Sequence, residues 1–311
     1  MKRALVAGAS GGIGYALVCE LISRGVEVVA FARGKERLHS LYQKLVDVTI
    51  FKGDALNPDH LAAAANGVDV IFHAISFPYQ EWEEKHMQCL DVMLEVAKQK
   101  QIKVAYVDNI YAYGRQPNQL VDEDTKKRPH TKKGKLRLEM EKKLIESEVP
   151  TLIVHMPDLY GPNAENTILY ETLRNVTENK KANYVGDTKV AREFLFTMDG
   201  AKAMVELATR EEYYNQNWNI PAVNPITGDE LISIIREVTG YDKAVRIVTK
   251  RMIRIIGIFS PFMKELVEMM YLTENPVILS GEKYETELHS LPRTPYQEGI
   301  KETIKWMRKQ K

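Results

Sequence analysis

Cysteine is scarce, with only Cys19 and Cys89 in 311 residues. Both fall in helix-like segments, supply no disulfide framework and fit a reducing compartment. A charge bias of either sign is also missing, since 43 basic side chains face 42 acidic ones and the net charge is +1. Nucleic acid or an anionic membrane would favour a basic excess, and the whole chain has none. No run reaches the ~18 apolar residues of a transmembrane helix. The nearest candidate, Met252 to Met263, is short and broken by Arg254 and Pro261. The apolar run Ala4–Ala7 stops at Gly8, too soon for the hydrophobic stretch of a signal peptide. Internal repeats and low-complexity tracts are absent as well. The expectation is a cytoplasmic protein with no nucleic-acid or membrane partner.

What is present is apolar material, 44% of residues, enough for a large core without disulfides or metal. Over the first 108 residues β-rich runs alternate with helical ones. Ala4–Ala7, Val26–Ala32, Val46–Phe51, Val68–Ala74 and Val104–Val107 read as strands. Ile13–Arg24, Lys35–Leu45, Pro58–Ala65 and Trp82–Lys100 read as helices. Strict alternation predicts βαβ units. The strands are near-continuous apolar runs, as expected of a parallel sheet covered on both faces. A polar loop from Arg115 to Lys135 leads into a helix from about Thr131 to Pro150, then a buried strand, Thr151–Met156. After Pro157 the alternation fails. The predicted architecture is a doubly wound α/β (Rossmann) domain over 1–157, with sheet contributions from segments near 183–200. A smaller, discontinuous substrate lobe is expected over 158–311.

Gly8-Ala9-Ser10-Gly11-Gly12-Ile13-Gly14 joins the first strand to the first helix. Glycine is needed there for a tight turn, for backbone approach to a pyrophosphate and for close helix–strand packing. The helix N-terminus then offers unpaired N–H groups to phosphate, and Ser10 adds a hydroxyl. A nicotinamide dinucleotide is the predicted ligand. NAD sites usually carry a carboxylate at the end of strand two. Here Val28–Ala32 ends in Arg33, with Lys35 and Arg37 behind it, so the preferred cofactor is NADP(H) and NAD is disfavoured. The alternative is that Arg33 is only a solvated charge. Asp54 ends strand three, where a carboxylate can accept from the adenine amino group. His73-Ala74-Ile75-Ser76 ends strand four, where small residues leave room for the nicotinamide half.

These pieces, together with Gly53-Asp54, Ile110-Tyr111-Ala112-Tyr113-Gly114, Leu159-Tyr160-Gly161-Pro162 and Arg192-Glu193-Phe194, resemble the extended short-chain dehydrogenase/reductase family. That is the group of NAD-dependent epimerases and dehydratases. The resemblance covers most of the chain, weakens after about residue 228, and implies a doubly wound sheet with a C-terminal substrate lobe. It also implies a catalytic Ser, Tyr and Lys, with Tyr four residues before Lys. The serine place falls on Asn109, Lys135 fits the lysine place, and Thr131 stands where tyrosine is expected, so two of the three types are absent. Expected cofactor contacts are Gly8, Ser10, Gly11, Gly12, Ile13, Arg33, Asp54, Ala55, Ala74, Ile75, Ser76, Lys135 and Pro157. Expected catalytic positions are Lys135, Asn109, Thr131 and Tyr111.

An alkyl hydroxyl cannot replace a phenol as proton donor, because a nearby ammonium cannot bring it near neutral. Tyr111, Tyr113, Tyr160 and Asp108 are the substitute acids, Tyr111 slightly ahead. In the second lobe, Arg192 would meet an anionic substrate or pair with Glu193 or Asp199. Thr227 would cap the helix Gly228–Thr239. Arg251, Arg254 and Lys264, interleaved with Met252, Ile253, Ile255, Ile256, Phe259 and Phe262, read as a helix pair closing the lobe. A membrane-surface helix is disfavoured there because it lacks a sustained polar face. Two functions remain open. One is an NADP(H)-dependent oxidoreductase or epimerase/dehydratase-like enzyme for a small carbonyl or sugar-type substrate. The other is a catalytically silent NADP(H)-responsive binding module. A homodimer is the expected assembly.

Overall fold

The computed structural model describes residues 1–117, 120–258 and 260–310, with Phe262 described by its backbone alone. Phe259, assigned above to a helix pair, lies outside the described residues, as does the Phe262 side chain.

Strand and helix alternate as the apolar runs require. β1 (Arg3–Ala7), α1 (Gly12–Ser23), β2 (Glu27–Ala32), α2 (Lys35–Tyr42), β3 (Val48–Lys52), α3 (Pro58–Ala64), β4 (Val70–His73), α4 (Trp82–Lys100) and β5 (Lys103–Asn109) follow one another. After a 3-10 turn (Ile110–Tyr113) come β6 (Leu120–Val121), α5 (Lys132–Glu146), β7 (Thr151–Met156), β8 (Asp158–Tyr160) and α6 (Tyr170–Thr177). Then follow β9 (Ala182–Val185), β10 (Phe194–Phe196), α7 (Thr197–Ala208), β11 (Gln216–Asn219), α8 (Gly228–Thr239) and β12 (Val245–Val248). The chain ends through α9 (Lys250–Gly257), α10 (Pro261–Met269), β13 (Ile278–Leu279), α11 (Glu282–Leu288) and α12 (Tyr296–Lys309).

Seven strands form one parallel sheet in the order β3-β2-β1-β4-β5-β7-β11. This is the doubly wound Rossmann arrangement, whose strand order reverses between β1 and β4. Ligands of such sheets sit outside the strand C-termini at that reversal. One face packs on α1 and α7 around Leu17, Val18, Leu21, Met204 and Leu207; the other packs on α4 and α5 around Leu90, Met93, Met140 and Leu144. A separate cluster of Tyr160, Leu173, Tyr184, Phe194, Leu231 and Ile300 forms the second lobe's core. Among the described residues no helix is long and apolar enough to cross a membrane.

Two expectations need correction. The seventh strand of the large sheet comes from Gln216–Asn219, where fully buried Trp218 registers with Val154. The 183–200 region instead forms small sheets, Ala182–Val185 with Val245–Val248 and Phe194–Phe196 with Asp158–Tyr160. The reason is the direction of burial: Tyr184 and Phe194 belong to the second lobe's core. β3 begins at Val48, two residues later than its apolar run, because Val46 is 96% exposed on the preceding turn.

α1 lies against β1 so closely that a Cβ on Gly14 would stand 2.1 Å from the Gly8 carbonyl oxygen. Backbone on both sides leaves no soft neighbour to move. Gly14→Ala should therefore lower unfolding stability by roughly 2–3 kcal/mol, in the upper range for overpacking. The reading is an earlier denaturant midpoint at unchanged m-value; an unchanged midpoint would refute the close contact.

Candidate nucleotide-binding and catalytic site

The glycine turn is built for a close approach. Gly8 has φ +93°, and a Cβ there would meet the Ala74 carbonyl oxygen at 2.5 Å. The Gly8 N–H donates to the Phe31 carbonyl at 2.9 Å, and the Gly11 N–H to the Gly8 carbonyl at 3.0 Å. Gly11 precedes α1 and gives it no side-chain cap. The first-turn N–H groups are thus left for an outside acceptor, the situation in which a helix N-terminus binds phosphate. Asn163, in the loop after β8, donates to the Ser10 and Gly11 carbonyls at 3.0 and 3.3 Å. A cofactor's phosphates fit this turn on the steric evidence of Gly8 and the uncapped helix.

The remaining expected cofactor positions gather at the same sheet edge. Arg33, just past β2, is exposed and has no ion-pair partner among the described residues. Arg37, one turn into α2, bonds Asn163 and Glu165. Asp54 accepts the Leu56 N–H at 3.1 Å in a local turn. Ala55 and Pro157 are buried, Ala74 and Ile75 half-buried, and Ser76 exposed. His73 is a packed residue; burial, and then the nearby Arg137 cation, push its pKa down to about 3.

The helix α5 corrects the catalytic expectation. Its buried positions are Lys133, Gly134, Leu136, Arg137, Met140, Glu141 and Leu144. Lys135 lies on the opposite side, sharing an exposed face with Glu139, Lys142 and Glu146. At 100° per residue this placement holds along the whole helix, so Lys135 faces solvent and not the sheet edge. Thr131 is the N-cap, its hydroxyl accepting the Gly134 N–H at 3.0 Å. A pair four residues apart on the sheet-facing side is Lys133 and Arg137. Both are cations, and no phenol stands on that face of α5.

Arg137 is wholly buried. It donates to the Tyr106 hydroxyl, lies 3.5 Å from Asp108, and sits over the Trp82 ring at 4.6 Å. Lys133 reaches outward to Glu265 at 2.5 Å and Glu268 at 2.9 Å on α10, and lies 5.0 Å from the Tyr79 ring centroid. Neither cation was singled out from sequence. The apolar stripe Leu136, Met140 and Leu144 was the signal that would have set the register.

Of the substitute acids, only Tyr111 sits at the mouth of this site. Its hydroxyl is 2.9 Å from that of Tyr79, and its ring stacks on Trp82. Burial, then the neighbouring Tyr79, hold its pKa well above 10. Asn109 ends β5, and its side-chain carbonyl accepts the Tyr111 N–H at 2.9 Å, which leaves its amide N–H free of that bond. Tyr113 is a structural donor to Asn219 at 2.9 Å. Tyr160 is buried under Gly299 in the second lobe. Asp108 faces inward toward Arg137 and His155, and burial raises its pKa.

Behind Arg137 lies a second buried charge layer. Glu141 bonds Lys127, accepts from Asn217 at 2.7 Å and lies 3.5 Å from His155. Burial opposes its charge, but His155 and then Lys127 hold its pKa down to about 2. Asp108, Glu141 and His155 bring three ligand atoms within 4.8 Å, a spacing that could suit a metal. The Lys127 ammonium, 3.2 Å from His155, already answers the negative charge there.

Arg192 is buried and donates to Tyr184 at 3.2 Å and to the Val185 carbonyl at 3.1 Å, with Asp158 at 4.0 Å. The expected partners Glu193 and Asp199 are engaged elsewhere. Glu193 accepts from the backbone of Ala222 and Leu279, and Asp199 from Thr294.

Comparison with known proteins agrees with this geometry. The NAD dependent epimerase/dehydratase family matches residues 4–220, and the chain belongs to that family. Over 99% of the chain and 98% of the relative, it is 23% identical to UDP-N-acetyl-alpha-D-glucosaminuronate decarboxylase of Bacillus cytotoxicus. A local likeness, 37% identity over 76 residues, connects it to 2-alkyl-3-oxoalkanoate reductase of Shewanella oneidensis; it spans 24% of this chain and 19% of that protein. Among solved structures, dTDP-glucose 4,6-dehydratase of Bacillus anthracis in complex with NAD superposes with a TM-score of 0.81 at 19% identity, covering 99% and 97% of the two chains. UDP-glucuronic acid 4-epimerase of Bacillus cereus with NAD gives 0.80 at 18%, covering 99% of each. The family's own description names NAD, a nicotinamide dinucleotide.

Two predictions follow from α5. Lys135→Ala should shift stability by less than about 0.5 kcal/mol, as for an exposed site, whereas Arg137→Ala should cost about 3–5 kcal/mol by stranding Asp108. Equal effects in urea melts would overturn the register. Glu141 has a folded pKa near 2 against an unfolded value of 4.5, so its stabilisation is present above pH 4.5 and is lost as pH falls toward 2. Glu141→Gln should therefore be roughly 3 kcal/mol less stable at pH 7. That gap should close between pH 4.5 and 2 when both proteins are melted across the range.

Proposed function

We propose that the protein is an NADP(H)-dependent member of its family, transferring hydride to or from a carbonyl or hydroxyl carbon of an anionic, sugar-type substrate. The observation that carries this reading is the exposed, unpaired Arg33 beside the glycine turn, on an edge that ends at Asn109 and Tyr111. A guanidinium pairs with phosphate through charge-assisted hydrogen bonds, and no carboxylate ends β2 to bind a ribose in its place.

The bound dinucleotide supplies or accepts the hydride. Tyr111 stays protonated over the physiological range because burial disfavours its anion, so it can donate to a substrate oxygen as that oxygen gains electrons. Tyr79, 2.9 Å away and half-buried, can then relay a proton from solvent to Tyr111, taking one up at its oxygen as it gives its own. The Asn109 amide adds a second donor toward the same oxygen. Arg192, buried with an unpartnered Nε, supports an anionic substrate group, and the nucleotide sugars named for the relatives belong to that class.

A second reading, a ligand-responsive binding protein without turnover, is favoured by one observation. No phenol stands on the inward face of α5, where Lys133 is held by Glu265 and Glu268.

Titration with NADPH and NADH, read by nicotinamide fluorescence, tests the cofactor. Arg33→Ala should weaken NADPH binding about 10–100-fold and leave NADH unchanged; equal wild-type affinities would sink the preference. Against a panel of nucleotide sugars and small carbonyls, Tyr111→Phe should cost about 10²–10⁴-fold in turnover. Tight NADPH binding with no turnover of any compound would move the second reading to first place.

A further inference from the structure

The stretch from Lys243 to Lys264 differs from the rest of the chain. It holds six cations, Lys243, Arg246, Lys250, Arg251, Arg254 and Lys264, and no acidic residue. The remainder carries an acidic excess, so this one segment brings the net charge to +1. Lys250 pairs with Glu274 and Lys243 bonds the Asn179 carbonyl. Arg246, Arg251, Arg254 and Lys264 are exposed, without an ion-pair partner among the described residues.

Exposed aliphatic side chains concentrate in the same place. Ile247, Ile255, Ile256 and Ile258 are 44%, 62%, 45% and 74% exposed. α9 anchors itself through Ile253 and Gly257, which are buried. At 100° per residue, Ile255, Arg251 and Ile258 lie on the side away from that anchor, with Arg254 on the flank beside them. The helix expected to close the second lobe thus turns isoleucines outward, interleaved with unpaired guanidinium groups.

Against the sequence expectation of no membrane partner, we propose that this segment, led by α9, docks on an anionic lipid bilayer surface. Both halves of the patch have a role there. Arginines meet the negative headgroups, each cation near such a surface being worth about fivefold in partitioning, while isoleucines enter the boundary of the acyl region. Charge complementarity alone would also suit nucleic acid. Single-stranded nucleic acid, however, is held by stacking on aromatic rings, and the exposed large apolar residues described in this segment are all isoleucines. Peripheral attachment of this kind needs no spanning helix, and it stands independently of the cofactor and substrate proposed above.

The test is co-sedimentation of the full chain with phosphatidylcholine vesicles, with or without about one third phosphatidylserine, a share at which cations near the surface are attracted. Binding should require the anionic lipid and should fall as salt rises from low to physiological strength. Arg251→Ser with Arg254→Ser should lower partitioning about twentyfold, from the per-cation effect. Ile255→Ser with Ile258→Ser should lower it at least about tenfold, and a thermal midpoint within a few degrees of wild type shows that both variants are folded. Absence of binding, equal binding to neutral vesicles, or tighter binding to a single-stranded oligonucleotide overturns the proposal. So does concentration-dependent self-association, seen by sedimentation, that the isoleucine changes abolish.

Discussion

A guanidinium cannot shed its proton inside a protein, so a buried one must find its counter-charge and acceptors among its neighbours. Arg137 sets that demand at the centre of the site. β5 answers with the Tyr106 hydroxyl and the Asp108 carboxylate, and α4 with the face of Trp82. Asp108 in turn faces His155 on β7, and His155 lies beside Glu141, which draws Lys127 in from the long polar loop. One charge thereby fixes α5 against two strands, β5 and β7, and brings an irregular segment down onto the sheet. Burial first, and the Arg137 cation second, keep the nearby His73 neutral.

The parts of this architecture that were legible in the sequence share one property: a local pattern determined them. The glycine turn could be read because backbone contact between Gly8, Ala74 and Gly14 permits no other residue, and it lies between two elements of opposite period. Arg33 could be read because it occupies the end of an apolar strand. The register of α5 could not be read by counting toward Lys135. Lysines at 132, 133 and 135 look alike in sequence, and only the buried ridge of Leu136, Met140 and Leu144 tells which of them points inward. The expected pairing of Arg192 with Glu193 or Asp199 failed for a different reason. Its partners Tyr184 and Val185 belong to β9, and the expected carboxylates were already committed to distant backbone N–H groups. Trp218-Asn219-Ile220-Pro221 does read as a strand from sequence, but its place in the large sheet is obscure, since pairing across some sixty residues leaves no local trace.

With two cations and no phenol on the inward face of α5, what the site can do with a proton changes. A phenol beside an ammonium has its anion stabilised and can both take and give a proton near neutral pH. Lys133 cannot take that part while Glu265 and Glu268 hold its ammonium. Tyr111 is near Arg137, but desolvation outweighs that attraction and its pKa remains well above 10. Forming a tyrosinate there before substrate arrives is therefore unfavourable, which argues against proton abstraction as the opening step. Donation is different. Negative charge that develops on a substrate oxygen in this water-poor corner would be met by a phenol already protonated, with a second hydroxyl behind it and a guanidinium close by. Stabilisation that appears only as the charge develops is the kind that accelerates a reaction. Within the proposed chemistry, the arrangement favours adding hydride and proton to a carbonyl over withdrawing them from an alcohol.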